Sequence, residues 1–230
     1  MCGRINVSDN EGVRLLLAML GMDVWPNRDP RFNVAPSQTL DVVGWQNEAP
    51  VHQSMQWGLL PAWAKPGTFS APLINARSET IHQKPSFNKL IGSHRVLIPI
   101  NGFYEWRRSG KIKEAHFIHP TNAGAMFIAG LFQPPSKKPT DDKPMRAQVC
   151  AITVESNEPM SKVHHRMPVM LNPKDALTWI QPSDKKTLDK LMVPASNDAL
   201  KICEVGDYVN SARNEGPECI APRQIDDLFG

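Results

Sequence analysis

The sequence predicts an α+β fold built on a mostly antiparallel, barrel-like β-sheet with a few peripheral helices. Three observations carry this. Many short segments alternate apolar and polar residues with the two-residue period of a strand, and only a few follow the 3.6 period of a helix. Strands and helices do not alternate in βαβ order and no internal repeat is present, so a parallel sheet is disfavoured. The 21 prolines, without clustered charge, fit many turns rather than disorder. A chain of 230 residues can bury a substantial core. No composition shift marks a boundary, so residues 1–230 read as one domain.

Taken in order, Ser8-Asp9-Asn10-Glu11 reads as a capping box with Ser8 as N-cap. Val13, Leu16, Leu17 and Leu20 follow at helical spacing, and Gly21 stops the helix. Arg31 to Pro36 reads as a loop. Leu40–Trp45 and Val51–Trp57 read as a hairpin, with Val51, Met55 and Trp57 on one face. A Pro-, Gly- and Trp-rich stretch runs from Gly58 to Pro72. Ser86–Ile91 reads as a short helix. Arg95–Ile100, Gly102–Trp106, Ala115–Ile118, Ala125–Phe132 and Ala147–Glu155 read as strands, and Gln133–Pro144 as a mobile loop. Helices are expected at Pro173–Ile180 and Ser183–Met192, capped by Asn172 and Ser183. A last short strand near Ala199–Glu204 precedes an irregular tail.

Composition excludes several classes. With 41% hydrophobic and 21% charged residues and a net charge of +3, the chain has no global basic signal, so any nucleic-acid site must be a local patch. It has no apolar run of membrane-spanning length and no signal-peptide layout at its start. Cys2, Cys150, Cys203 and Cys219 are widely spaced, and the histidines show no ligand spacing. No metal, cofactor or disulfide is expected, and a reducing cytoplasmic setting is.

The chemistry-bearing candidates are polar residues set in apolar or turn contexts. Cys2 becomes the N-terminal residue once Met1 is removed, and then carries an α-amine and a thiol on adjacent carbons. These titrate near pH ~8 and ~8.5, so both have a reactive fraction at neutral pH. Such a 1,2-aminothiol condenses with an aldehyde and closes a five-membered thiazolidine. Asn75 and Arg77 share a face if their segment is extended; alternatively Asn75 caps a turn and Arg77 pairs with Glu79. Glu105, between Tyr104 and Trp106, is either desolvated by its aromatic neighbours, the condition for acid/base work near neutral pH, or faces solvent. His164 and His165 offer proton exchange near neutral pH, or are surface residues before Pro168. Arg4, Arg31, Trp57, Trp63, Lys65, Phe69, Arg77, Trp106, Arg107 and Arg108 interleave cations and rings as a single-strand groove requires, although tryptophans are as often core.

Together these segments resemble the SOS-response-associated peptidase family. The resemblance rests on Met-Cys-Gly-Arg at 1–4, Arg-Phe-Asn-Val-Ala-Pro at 31–36, Trp-Gly-Leu-Leu-Pro-Ala-Trp at 57–63 and Asn-Ala-Arg-Ser-Glu-Thr at 75–80. It continues through Gly-Phe-Tyr-Glu-Trp at 102–106, His-His-Arg-Met-Pro at 164–168 and the tail at 209–219. The resemblance implies a monomer that binds single-stranded DNA, with or without an adjoining duplex junction, and crosslinks itself to abasic sites. By the same resemblance Cys2 bonds to the sugar, Asn75 orients the Cys2 backbone, Glu105 shuttles protons and His164 assists ring opening and reversal. Arg4 and Arg77 would hold phosphates. Asn33, Pro36, Trp57, Trp63 and Trp106 would line the cleft. Cys2, Glu105 and His164 would also release Met1. A cysteine peptidase acting in trans and a non-covalent reader of modified bases are the competing readings.

Overall fold

A computed structural model of the chain describes residues 2–64, 68–110, 112–122, 124–135 and 146–223. Thirteen strands among them form two sheets. The larger contains β3 (Thr39–Gln46), β4 (Ala49–Trp57), β5 (Asn75–Arg77), β6 (Arg95–Ile100), β9 (Met126–Gln133), β10 (Gln148–Glu155), β11 (Arg166–Pro168) and β12 (Met170–Leu171). In it β10, β4, β3, β6 and β9 follow one another and β9 returns to β10, so the sheet closes into a ring. Closure removes the open edges that would otherwise template aggregation. Pairing is antiparallel except where β10 meets β4 and then β5 in parallel. The smaller sheet runs in the order β13 (Leu200–Val205), β8 (Ile112–Pro120), β7 (Gly102–Ser109), β1 (Ile5–Val7) and β2 (Arg31–Val34).

The strand pleat produces this burial. All six residues of β6 are buried, and so are the first six of β9 and the first seven of β10; these strands pack on both faces. Met55 and Trp57 of β4 point inward on the face that their two-residue spacing predicted. Asn47 and Glu48, with φ of 49° and 60°, form a two-residue turn whose twist matches the β3–β4 hairpin. Gly58, at φ 118°, turns the chain out of β4 where an added Cβ would lie 2.9 Å from Pro72. Leu59 and Leu73 then pair across the connection and return the chain to β5.

Several local expectations need correction. Arg31 to Val34 is a strand, because its backbone pairs with β1 and its amides find an acceptor in the tail. The first helix, α1 (Asn10–Ala18), is capped by Asp9, whose Oδ1 accepts from Gly12 N at 2.9 Å, while Ser8 Oγ donates to Asn6 instead. The short α2 (Glu158–Ser161), capped by Asn157, was not foreseen. In α3 (Pro173–Ile180) Asn172 caps as expected, whereas α4 (Lys185–Leu191) is capped by Asp184 rather than Ser183. Ser86–Ile91 forms consecutive hydrogen-bonded turns and no continuous helix. Most of the Gln133–Pro144 loop lies outside the described residues, as does Lys65.

The main core is continuous through the closed ring and α1, α3 and α4. A smaller core of Tyr104, Ala115, Val205, Val209 and Cys219 lies under the tail. No described helix is long and apolar enough to cross a membrane.

Candidate active site and nucleic-acid surface

The start of the chain runs beside β7: Ile5 pairs with Phe103, and Tyr104 N donates to Arg4 O at 2.9 Å. This lays Cys2 against the closed ring, 1% exposed. Asn75, on the parallel strand β5, donates Nδ2 to the Cys2 carbonyl at 3.0 Å. Its Oδ1 is buried with no hydrogen-bond partner among the described residues. An amide fixed by one end with its acceptor unused is placed to receive an N–H, and leaving it unmade is costly.

Glu105 projects from β7 on the same face as core residue Phe103 and is 4% exposed, so the solvent-facing alternative fails. Its charge acts on both Cys2 and His164. Burial pushes the Cys2 thiol far above the ordinary thiol range, and the negative charge of Glu105 pushes it further. His164 is half-buried. Burial lowers its pKa; Glu105 opposes this, while the amino-terminal charge and His165 add to it. The neutral ring therefore predominates at pH 7. Its backbone position follows from α2: His164 N donates to Met160 O at 2.9 Å. His165 is exposed and stacks on it, ring centroids 4.4 Å apart.

The candidate DNA-contacting residues divide. Trp106, one residue beyond Glu105, points to the opposite face and is half-exposed. Its Nε1 donates to Asn210 at 2.6 Å, with the Arg4 guanidinium 5.7 Å and Lys113 Nζ 4.6 Å from the ring centroid. Trp63 is 54% exposed, tilts on Phe69 and donates to Pro85 O. Arg77 is exposed at the end of β5, and Pro36 is half-buried in the turn after β2. Arg4 is half-buried, with Nη1 donating to Asn33 Oδ1 at 2.7 Å and Val209 O at 3.0 Å.

Two residues do not line a cleft. Trp57 is 1% exposed in the main core, where Nε1 donates to Ile74 O immediately before Asn75; its size and apolarity make it a support. Asn33 is buried and consumed internally, accepting from Arg4 and donating to Ser211 O and Asn214 O. Sequence reasoning also missed partners. Glu79 pairs with Arg166, at 2.8 and 2.9 Å, rather than with Arg77. Glu215 accepts from the amides of Phe32 and Asn33. Both sit in segments that carried the resemblance, yet neither has a local spacing that announces a partner. No cluster of metal-ligating side chains occurs among the described residues.

In the ring-closed sheet the buried Cys2 is held by the Asn75 amide, Glu105 acts on both Cys2 and His164, and Trp106 with Arg4 and Lys113 lies on the adjoining surface. The model of the SOS response associated peptidase (SRAP) family matches residues 1–212, and the chain belongs to that family. It is 35% identical over 194 residues to the abasic site processing protein YoqW of Bacillus subtilis, covering 83% of this chain and 85% of that protein. It is 32% identical over 200 residues to the abasic site processing protein HMCES of Gallus gallus, covering 76% of this chain and 58% of that one. A solved structure from Bacteroides thetaiotaomicron superposes with a TM-score of 0.82 over 96% of this chain and all of that one, at 21% identity.

Proposed function

We propose that this protein processes abasic sites in DNA by capturing them covalently through Cys2, once Met1 has been released. The observation that carries the reading is the Asn75 amide. It clamps the Cys2 carbonyl and keeps a buried, unpartnered acceptor beside the residue whose nitrogen must react. The ring-opened deoxyribose of an abasic site presents a C1′ aldehyde. The α-amine of Cys2 adds to it and water leaves, giving an imine; the thiol then adds across the C=N bond, its proton passing to the nitrogen. Because burial and Glu105 hold the thiol protonated, nitrogen attacks first and sulfur closes the ring. Glu105 carries protons between these steps. His164, neutral at pH 7, polarises the sugar oxygen during opening and reversal.

Arg77 and Arg4 draw the phosphates, and Trp106 and Trp63 offer stacking surfaces for single-stranded bases, with Pro36 at the rim. The protein acts as a monomer on single strands, including those beside a duplex junction, within the cytoplasm. The same Cys2, Glu105 and His164 remove Met1.

The test is incubation with a single-stranded oligonucleotide bearing one abasic site, followed by intact mass and denaturing electrophoresis. The expected product has the summed mass less one water and disappears in Cys2→Ala. An adduct surviving in Cys2→Ala, or none in protein shown by mass to lack Met1, overturns the proposal.

A further inference from the structure

We propose that Arg166, locked by Glu79, is the positioning residue of His164, its peptide group satisfying Nδ1 in either tautomer of the ring. This rests on the reading of His164 given above.

Arg166 donates its main-chain N–H to His164 Nδ1 at 3.0 Å, and its carbonyl oxygen lies 3.2 Å from the same nitrogen. A ring protonated at Nε2 accepts the N–H; a ring protonated at Nδ1, or at both nitrogens, donates to the C=O. Nδ1 is thus satisfied either way, and the ring serves as base or as donor through Nε2 without turning over. Opening a sugar needs a proton placed on one oxygen and taken from another, and reversal needs the opposite. A ring that exchanges tautomers in place suits both.

The arrangement holds only if the Arg166 main chain is immobile; its pairing with Glu155 of β10 holds the strand, and its side chain adds a second anchor. The guanidinium is buried, grips both Glu79 carboxylate oxygens and donates to Thr153 O at 2.7 Å. A planar fork on two carboxylate oxygens fixes orientation as well as distance. Glu79 lies in the 3-10 turn Ser78–Thr80 directly after β5, so the pair ties the segment bearing Asn75 to the segment bearing His164.

The experiment has two arms on full-length protein, with Glu79→Ala and the milder Glu79→Gln, which keeps the volume and one acceptor. In the first arm, ¹⁵N-histidine NMR of DNA-free protein reads the His164 ring nitrogens. The expected result is a hydrogen-bonded Nδ1 in wild type that shifts toward an averaged, solvent-like signal in both variants. In the second, single-turnover crosslinking to abasic DNA is expected to slow about tenfold in Glu79→Ala. That loss should vanish in a His164→Ala background, because the two act as one unit. Unchanged His164 resonances in Glu79→Gln, or rate losses that multiply in the double variant, overturn the proposal. Failure of the wild type to crosslink would sink the functional reading and leave the NMR arm to decide this one.

Discussion

At the residue scale, the same burial moves Cys2 and His164 in opposite directions. Desolvation penalises whichever form is charged, so the thiol pKa rises and the imidazole pKa falls. A step that needs neutral His164 therefore keeps its rate below the ordinary histidine pKa and loses it only as pH falls through the lower native value. The amine of Cys2 gives its own acid limb, so the His164 contribution is read as the ratio of the wild-type to the His164→Gln rate; that ratio should fall only below pH ~6.5. A fall in the ratio at or above the ordinary histidine value would contradict the burial of His164. His164 was legible in sequence as a titratable residue before a proline. Its Nδ1 partner was not, since a main-chain group leaves no mark on composition.

At the element scale, the helix start and the first hairpin each separate pattern from geometry. The capping box read from Ser8 was displaced by one residue, because Asn6 takes the Ser8 hydroxyl and leaves Asp9 to accept from Gly12. Asp9→Ala should cost about 1 kcal/mol of stability and Ser8→Ala distinctly less, measured by denaturant unfolding. Equal costs would argue that Ser8 shares the cap. In the β3–β4 turn Glu48 sits at φ 60°, where its Cβ is strained. Glu48→Gly should therefore stabilise by roughly 0.5 kcal/mol, the relief of strain exceeding the entropy cost of glycine. A fall in melting temperature would show that the turn is not the limiting geometry. The hairpin itself was legible because its period of two is local.

At the scale of the whole molecule, the tail completes a surface that starts at the other end of the chain. Glu215 holds β2 by two amides, Asn33 spans to Ser211 and Asn214, and Arg4 reaches Val209. Glu215→Ala leaves the buried amide of Asn33 without its acceptor, at a cost of about 1–3 kcal/mol, or several degrees in Tm for a chain this long. It should also loosen the Arg4–Trp106 pair and weaken binding to intact single-stranded DNA. Thermal melting and a salt series of binding affinities check both effects. A stable variant with unchanged affinity would detach the tail from the surface.

The sequence by itself determined the fold class, the hairpin, α1 with its Gly21 stop, the Asn172 cap and the chemical types available for a site. These depend on periodicity and turn chemistry within a few residues. Only the tertiary structure decided which side chains meet. Asn75 reaches Cys2 across 73 positions, Arg166 reaches Glu79 across 87 and Arg4 reaches Val209 across 205. It also sorted three tryptophans of one composition into Trp57 in the core and Trp63 and Trp106 at the surface. Burial and pairing at such separations follow from how the strands close into a ring, and no local window contains that information.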